Sequence, residues 1–260
     1  MLYVFAESTA SILLGALIIQ LVAEPAPISS STHVRIFLDA VGHDTVPHLF
    51  GALLMANLGM LLILAFAYRT GLKTLIAHYW SRDGLWFCAQ VAWTTLLIPG
   101  ALLLKTAFGL PESASLRLLL TAALLIGANR FPVLRNSPTS RDALWVGVAQ
   151  SVALYFGTSR LATTYFLGRA RGLSGSVSLA LSWIVAVPFY GGTGFIGLIA
   201  TAYDAPELFS FYALLAMAVA LGMGYVLLRC VMFSAARERM SWWAIYLVPL
   251  SLALALLPGA

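Results

Sequence analysis

Charge is what this sequence has least of. Only 10% of its residues are charged, against about 25% in soluble domains. Hydrophobic residues make up 61% of the chain, and the mean hydropathy is +0.91. This number of charged side chains is too small to cover a water-exposed surface. The composition therefore predicts an integral membrane protein and excludes an ordinary soluble enzyme.

Cysteine is also scarce, and the basic residues do not form one continuous basic segment. Cys88 and Cys230 lie within apolar runs, where we expect small buried hydrophobic side chains rather than a disulfide or metal ligands. The net charge of +5 comes from basic residues spread over the connections between apolar runs. This distribution predicts membrane contact and no nucleic-acid binding. Because the first basic residue is Arg35, we do not expect the opening apolar segment to be a cleaved signal.

Six apolar runs approach the length of about 20 residues that a helix needs to cross a bilayer. They are residues 46–68, 84–108, 115–128, 176–202, 209–232 and 242–257. The third has Arg117 near its start, and we expect this side chain to reach the lipid headgroups. Two further runs, residues 10–23 and 143–156, each cover only about 21 Å as helices and end at polar stretches. The sequence therefore predicts an all-α polytopic protein with about six transmembrane helices and two re-entrant helical hairpins.

The two short runs carry a matching pattern. Gln20 precedes Ser29 by nine residues, and Gln150 precedes Ser159 by nine, so the patterns are offset by 130 residues, half the chain. This spacing indicates an internal duplication within a single membrane domain of residues 1–260, with repeat halves of about 1–129 and 130–260.

Basic residues concentrate in three of the connections and predict the orientation. These residues are Arg69, Lys73 and Arg82, then Arg130, Arg135 and Arg141, then Arg237 and Arg239. By the positive-inside rule these connections are cytoplasmic. The first hairpin then enters from outside and the second from the cytoplasm, as in an inverted repeat with a buried site near the membrane centre. Arg169 and Arg171 lie toward the cytoplasmic end of the second hairpin, where we expect them to be solvated or to face headgroups; the alternative is that they help to hold a diphosphate.

The second hairpin carries FGTSRLATT, residues 156–164, in which Arg160 is the costly residue. A charge at bilayer depth costs about 2.5–3.5 kcal/mol, so Arg160 needs a partner. Small and hydroxyl-bearing residues surround it: Gly157, Thr158, Ser159, Thr163 and Thr164. Together they predict an anion site with phosphate as the leading ligand. The alternative is that Arg160 pairs with Glu24 or caps a broken helix.

The first hairpin carries EPAPISSSTH, residues 24–33. It offers Glu24 as a metal ligand, three consecutive serines as nucleophiles and His33 as a base or acid. Ser30 and His33 are three residues apart and share a face if this arm is helical. A carboxylate, a serine, a histidine and an arginine in one membrane protein favour phosphate-ester hydrolysis assisted by a divalent cation.

These motifs resemble those of one family. PISSSTH, residues 27–33, resembles the P-[IV]-S-S-T-G-H signature of the bacterial undecaprenyl pyrophosphate phosphatases of the bacitracin-resistance type. GVAQSVALYFGTSRLATT, residues 147–164, is similar to their G-x-x-Q-x-x-A-L-x-P-G-x-S-R-S-G-x-T signature, and LSWIVAVP, residues 181–188, to a stretch that follows it. Asp44 with His48 resembles a weaker D-x-x-x-[HQ] pattern that follows the first of these motifs in the family.

The resemblance implies a lipid pyrophosphatase in the bacterial plasma membrane, with its site open to the outer face. Such an enzyme converts undecaprenyl diphosphate, or a related polyprenyl diphosphate, to the monophosphate and so recycles the carrier lipid for cell-wall synthesis. The implied cofactor is Mg²⁺ or Ca²⁺. The implied partners are the lipid substrate and membrane lipids, with a homodimer as one expected assembly.

The resemblance also assigns roles to residues. Ser30 is the implied nucleophile assisted by His33, with attack by His33 itself as the alternative. Glu24 and Arg160 complete the implied catalytic set, and Glu24 with Gln20 forms the implied metal site. For substrate binding the resemblance implies Ser29 and Ser159. The anion site predicted around Arg160 adds Gly157, Thr158 and Thr164, and the run of serines in the first hairpin adds Ser31.

The sequence departs from the family pattern at Gln20, which replaces the first acid of an E-x-x-x-E element and is a poorer ligand for a hard cation. Leu161 and Ala162 replace a serine and a glycine, Phe156 a proline and Thr32 a glycine. Loss of this acid leaves three alternatives: a weaker metal site, an active site that needs no metal, or a protein that does not hydrolyse its lipid. Glu7, Asp39 and Asp44 are the acids that could compensate.

A second hypothesis is a non-hydrolytic protein that carries, flips or binds polyprenyl phosphate lipids, because an inverted repeat suits transport equally well. Phosphate release from a lipid diphosphate separates the two hypotheses.

Overall fold

Helices form nearly all the regular structure. The computed structural model describes residues 9–42, 46–69, 82–108 and 113–256, and in these ranges the only strand-like pairing is one isolated bridge between Arg135 and Leu173. The helices are α1 (Thr9–Ala23), α2 (Ser30–Ala40), α3 (Leu49–Ala67), α4 (Arg82–Thr95), α5 (Leu97–Phe108), α6 (Ala114–Ala128), α7 (Ser140–Phe156), α8 (Arg160–Ala170), α9 (Gly175–Asp204), α10 (Phe211–Ala236) and α11 (Ala244–Ala255). Short 3₁₀ helices cover Pro206–Phe209 and Met240–Trp243.

Four helical segments are long and apolar enough to cross a membrane. They are α3, the run Gly84–Phe108 through α4 and α5, α9 and α10, and they match four of the six predicted spans. The runs at 115–128 and 242–257 form shorter apolar helices, Ala114–Ala128 and Met240–Ala255. A helix of 15 residues such as α6 covers only about 22 Å of the roughly 30 Å hydrocarbon layer. The chain is an all-α polytopic membrane protein.

The helix surfaces show where lipid is expected. Large apolar side chains are exposed along α10, among them Leu214, Val219 and Val226. Cys88 and Cys230 are free and exposed, so the expected burial of both cysteines is wrong. Lipid tails are as apolar as a protein core, so a small apolar residue in a membrane helix gains little by facing inward.

Both short runs form helical hairpins. The first consists of α1 packed on α2 through a turn at residues 24–29, and the second of α7 packed on α8 through the turn Gly157–Ser159. Within the first hairpin the arms meet at Gly15, where a side chain would come within 2.7 Å of the Phe37 ring. Since neither α1 nor α7 reaches about 20 residues, each chain segment turns back before it could cross the bilayer.

The described helices divide between two compact units. The first contains α1, α2, α3, α9 from Phe189 onward and α10 up to Leu228. Its core includes Leu13, Leu17 and Met55. At Gly197 in α9 a side chain would lie 2.2 Å from the backbone nitrogen of Met55, so α9 and α3 pack backbone to backbone, as small residues allow in membranes.

The second unit contains the turn Pro27–Ser29, helices α4 to α8, α9 up to Pro188, and the chain from Arg229 onward. Val146 and Val185 belong to its core. At Gly147 a side chain would meet Thr94 of α4 at 2.0 Å, so this glycine allows α7 to pack closely on α4. The predicted repeat halves, 1–129 and 130–260, stay a prediction.

A buried ionic cluster lies at the start of α7 in the second unit. The carboxylate of Asp142 is fully buried and accepts hydrogen bonds from Arg135 (2.7 Å), Arg171 (2.5 Å) and the backbone nitrogen of Thr139 (2.7 Å). Burial would raise the pKa of Asp142, but the hydrogen bonds from these groups outweigh it and hold that pKa well below its usual range. The cluster ties the loop before α7 and the chain after α8 to the base of the second hairpin.

Arg169 lies in the same unit and is only 2% exposed. It donates to the backbone oxygens of Leu173 (2.5 Å) and Phe131 (2.6 Å) and pairs with Glu238 at 3.2 Å. The expectation that Arg169 is solvated or faces headgroups is wrong, because two backbone carbonyls and a carboxylate replace the water that its guanidinium would lose.

Candidate active site

The first hairpin builds a hydrogen-bond network around the Glu24 carboxylate. One oxygen, Oε2, accepts from the Gln20 side-chain amide at 2.8 Å and from the Ser30 hydroxyl at 2.5 Å. The other oxygen, Oε1, accepts from the hydroxyl of Tyr190 at 2.9 Å. All four residues belong to the first compact unit. The structure therefore brings together three of the predicted site residues, Gln20, Glu24 and Ser30, and adds Tyr190 to them.

The local sequence explains this geometry. The Glu24 backbone nitrogen donates to the Gln20 carbonyl at 2.9 Å, so Glu24 follows one helical turn after Gln20 on the same face. Pro25 and Pro27 cannot continue a helix, because proline lacks the backbone N–H and its ring restricts the preceding residue. The chain reverses over residues 25–29 and starts α2 at Ser30, which returns the Ser30 hydroxyl to Glu24.

Ser29 is the strained residue of this turn. It has a φ of 64°, a left-handed conformation that is uncommon for residues other than glycine. Its side chain is buried and donates to the backbone carbonyl of Gly157 at 3.3 Å. Ser29 and Gly157 both belong to the second unit, so the turn of the first hairpin packs with the turn of the second. Ser30, the next residue, opens α2.

Gly157 ends α7 in a left-handed conformation with a φ of 69°, the usual role of glycine after a helix C-terminus. A side chain at this position would lie 2.6 Å from Nε of Arg117. The Arg117 side chain therefore packs against the turn of the second hairpin, and the expectation that it reaches the lipid headgroups is not what the structure describes.

Ser159 starts the second arm of this hairpin. Its hydroxyl accepts from the backbone nitrogen of Ala162 at 3.3 Å and caps α8. Its own backbone nitrogen donates to the Thr121 hydroxyl of α6 at 3.1 Å. Thr121 is buried inside an apolar helix, and no motif pointed to it. The Ser159 side chain thus shapes the helix start that presents Arg160.

The hydroxyls of Thr158, Thr163 and Thr164 form hydrogen bonds within the second hairpin itself. Thr158 and Thr163 share a hydrogen bond of 3.0 Å, and Thr163 also donates to the Ser159 carbonyl at 3.0 Å. Thr164 donates to the Arg160 carbonyl at 2.9 Å. Arg160 itself is half-buried and is the first residue of α8. The threonine hydroxyls predicted to bind substrate therefore stabilise the conformation of this turn and the start of α8.

Two further predicted residues of the first hairpin, His33 and Ser31, lie on α2. His33 is half-buried on α2, one turn after Ser30, so the two share a helix face as the spacing predicts. Ser31 is exposed. Asp39 forms an ion pair with Arg35 at 2.8 Å on the exposed side of α2, so it does not compensate for Gln20. Glu7 and Asp44 lie outside the described residues.

The implied divalent cation was tested against the donors around Glu24. The side chains of Gln20, Ser30 and Tyr190 all donate hydrogen bonds to this carboxylate. Gln20 turns its NH₂ group, not its oxygen, toward Glu24. Hard cations are held by several oxygen ligands, usually with more than one negative charge. In the part of the chain that the structure describes, no three His, Cys, Asp or Glu side chains form a metal-binding group. This donor set does not fit a divalent cation held by Gln20 and Glu24.

Fold and site together define a class: a polytopic helical membrane protein with a half-buried acid and serine on one broken-helix hairpin and an arginine at the start of the second arm of another. Comparison with known proteins narrows the class. The model of the bacitracin resistance protein BacA matches residues 11–253. The chain belongs to this family.

Three relatives are each named undecaprenyl-diphosphatase. One from Bifidobacterium longum is 27% identical and covers 95% of this chain and 92% of its own length. One from Corynebacterium glutamicum is 27% identical, covering 92% and 87%. One from Idiomarina loihiensis is 30% identical, covering 75% and 78%. The resemblance that the motifs indicated is confirmed.

Proposed function

We propose that this chain is a lipid pyrophosphatase that hydrolyses undecaprenyl diphosphate, or a related polyprenyl diphosphate, to the monophosphate and phosphate. The observation that carries the proposal is the hydrogen bond from the Ser30 hydroxyl to the Glu24 carboxylate. A serine whose proton already points to a carboxylate is arranged for nucleophilic attack. The family and the names of the relatives supply the substrate class. The activity returns the carrier lipid to cell-wall synthesis.

The proposed reaction has two steps. Ser30 Oγ attacks the terminal phosphorus, and its proton passes to Glu24 Oε2. A bond forms between Oγ and phosphorus while the bond from phosphorus to the bridging oxygen breaks, and the lipid monophosphate leaves. Water then attacks the phosphoserine: a bond forms between the water oxygen and phosphorus, and the bond between Oγ and phosphorus breaks. Oγ takes back the proton held by Glu24, and the proton lost by the water leaves with the phosphate. His33 assists these proton transfers. The alternative is direct attack by His33, which would form a phosphohistidine intermediate.

We assign the binding of the negatively charged phosphate groups to Arg160, because a guanidinium binds phosphate through paired hydrogen bonds. Its place at the start of α8 adds the positive end of the helix dipole. Gly157 and the hydroxyl residues Thr158, Ser159 and Thr164 are proposed to shape this phosphate site. Ser29 and Ser31 are proposed to do so beside the nucleophile. The implied Mg²⁺ or Ca²⁺ stays a prediction.

Phosphate release from undecaprenyl diphosphate by the purified protein tests the proposal. We expect turnover by the natural chain, and a loss of at least about a hundredfold in Glu24→Gln, which removes the proton acceptor but keeps a side chain of the same shape. Ser234→Ala is the control, because its hydroxyl only donates to the Cys230 carbonyl within α10. Lipid diphosphate binding without any turnover would instead support the carrier hypothesis.

We also propose that the protein lies in the bacterial plasma membrane with its site open to the outer face. The support is the distribution of basic residues over the connections. A single cysteine in place of Ser137 or Glu207, both exposed, can be labelled with an impermeant maleimide after Cys88 and Cys230 are changed to Ala. We expect labelling of intact cells at position 207 only. Labelling at position 137 only would reverse the orientation.

The homodimer stays a prediction, and its test is sedimentation of the detergent-solubilised protein with the bound detergent subtracted. The mass of one chain would contradict it.

A further inference from the structure

Tyr190 lies outside every motif that the sequence offered. It is on α9, two residues after Pro188, and is 1% exposed. An aromatic residue in an apolar helix is usually a packing residue, and a buried tyrosine hydroxyl needs a polar partner. Here that partner is Glu24 Oε1, at 2.9 Å and 166 positions away along the chain. The contact therefore connects a span helix to the acid of the first hairpin.

Hydrogen bonds from uncharged donors stabilise the negative charge of Glu24. A carboxylate has about four lone-pair positions, and the amide of Gln20, the hydroxyl of Ser30 and the hydroxyl of Tyr190 occupy three of them. Hydrogen bonds to an ionised carboxylate are about twice as strong as neutral ones. Where a cation would bridge two acids, this chain has one acid held by donors on both oxygens.

We propose that Tyr190 is a positioning residue which, together with Gln20, holds Glu24 toward Ser30, so that hydrolysis by this chain needs no divalent cation. This inference rests on the proposed function, and it resolves the alternatives left by Gln20 in favour of a metal-independent site. Tyr190 fixes Oε1, so Oε2 stays directed at the Ser30 hydroxyl. Gln20 donates to Oε2 and stabilises its charge before the proton of Ser30 arrives.

The first experiment measures phosphate release in excess EDTA and again with added Mg²⁺ or Ca²⁺. We expect the natural chain to give the same kcat in all three conditions, within about twofold. A rate that vanishes in EDTA and returns with either cation would overturn the inference.

The second experiment uses Tyr190→Phe, which removes one oxygen and keeps the ring. We expect kcat to fall about tenfold, the size of one hydrogen bond to a charged group, with KM nearly unchanged. The lost hydrogen bond also lowers the melting temperature, but the variant stays folded at the assay temperature. Tyr225→Phe is the matched control, since its ring packs edge-on against Phe66 at 5.1 Å. A kcat for Tyr190→Phe equal to that of the natural chain, or a fall in melting temperature that explains the loss, would contradict a positioning role.

The third experiment does not depend on turnover. Calorimetric titration of the purified protein with Ca²⁺ alone is expected to show no saturable binding in the natural chain and saturable binding in Gln20→Glu, which restores a second carboxylate beside Glu24. Saturable binding by the natural chain would overturn the inference even if no substrate is turned over. Absent turnover in every condition, with no Ca²⁺ binding, would defeat the proposed function and leave the donor set around Glu24 supported.

Discussion

The two hairpins use similar polar residues in opposite ways. In the first, Gln20 and Ser30 turn their side chains toward one carboxylate, which Tyr190 of α9 also contacts. In the second, the hydroxyls of Ser159, Thr163 and Thr164 bind the backbone of their own turn and helix. The first hairpin concentrates side-chain chemistry, and the second builds a rigid helix start that carries Arg160.

This difference separates reactive hydroxyls from structural ones. A serine bonded to a carboxylate can lose its proton, whereas a hydroxyl that caps a helix stabilises the conformation of its neighbours. Substitution of Ser30 should therefore affect chemistry, whereas substitution of Ser159 should affect stability.

The largest expected effect contrasts Ser30 with Ser159. Ser30→Ala should lower phosphate release by at least about a thousandfold, as removal of a nucleophile does, without changing the melting temperature. Ser159→Ala should cost about 1 kcal/mol of stability through the lost cap and lower turnover much less. Phosphate release and thermal unfolding of both variants measure the contrast. Equal losses of activity at the two serines would break it.

The next effect concerns the charge that the second hairpin presents. Arg160→Gln should reduce kcat/KM by about a hundredfold, the cost of removing one donor to a developing phosphate charge. Arg35→Gln provides a control, because Arg35 pairs with Asp39 on the exposed side of α2 and should keep nearly full activity. Steady-state kinetics with the lipid diphosphate give both values. Full activity in Arg160→Gln would show that the second hairpin is only a scaffold.

A stability effect comes from the base of the second hairpin. Asp142→Asn should cost about 2 kcal/mol, because it removes the buried carboxylate that accepts hydrogen bonds from the partly exposed guanidinium groups of Arg135 and Arg171. Folding lowers the pKa of Asp142, so its stabilising effect is present above about pH 4 and is lost as the pH falls toward the folded-state pKa. The melting temperature of the natural chain should therefore fall on acidification more steeply than that of Asp142→Asn. Parallel curves would contradict this account.

The smallest effect is expected at Thr121, which supports the second hairpin from α6. Thr121→Val keeps the shape of the side chain and removes the hydroxyl that accepts from the Ser159 backbone at 3.1 Å. The loss should be about 1 kcal/mol, measured by thermal unfolding, with KM raised by less than the Arg160 change. Thr106→Val is its control, since Thr106 is exposed and donates only to Leu103 within its own helix.

The helices and both hairpins followed from apolar run lengths, because the thickness of the bilayer sets the scale. Ser30 and Glu24 were also predictable, since they belong to one short motif whose prolines force a turn. Tyr190 and Thr121 were not predictable. Each meets the site through a contact between residues far apart in sequence, and each lies in an apolar helix where packing is the ordinary role. Arg117 and Arg169 were misjudged because sequence does not show which carbonyls or turns lie within reach of a long side chain.

The identity of the attacking residue decides the account most directly. Enzyme mixed with undecaprenyl diphosphate, quenched rapidly at acidic and at alkaline pH and then digested, can be analysed by mass spectrometry of the peptide that contains residues 24–35. We expect phosphate on Ser30 that survives the acidic quench. Phosphate on His33 that survives only the alkaline quench, or on neither residue during steady turnover, would contradict a nucleophilic Ser30 held by Glu24.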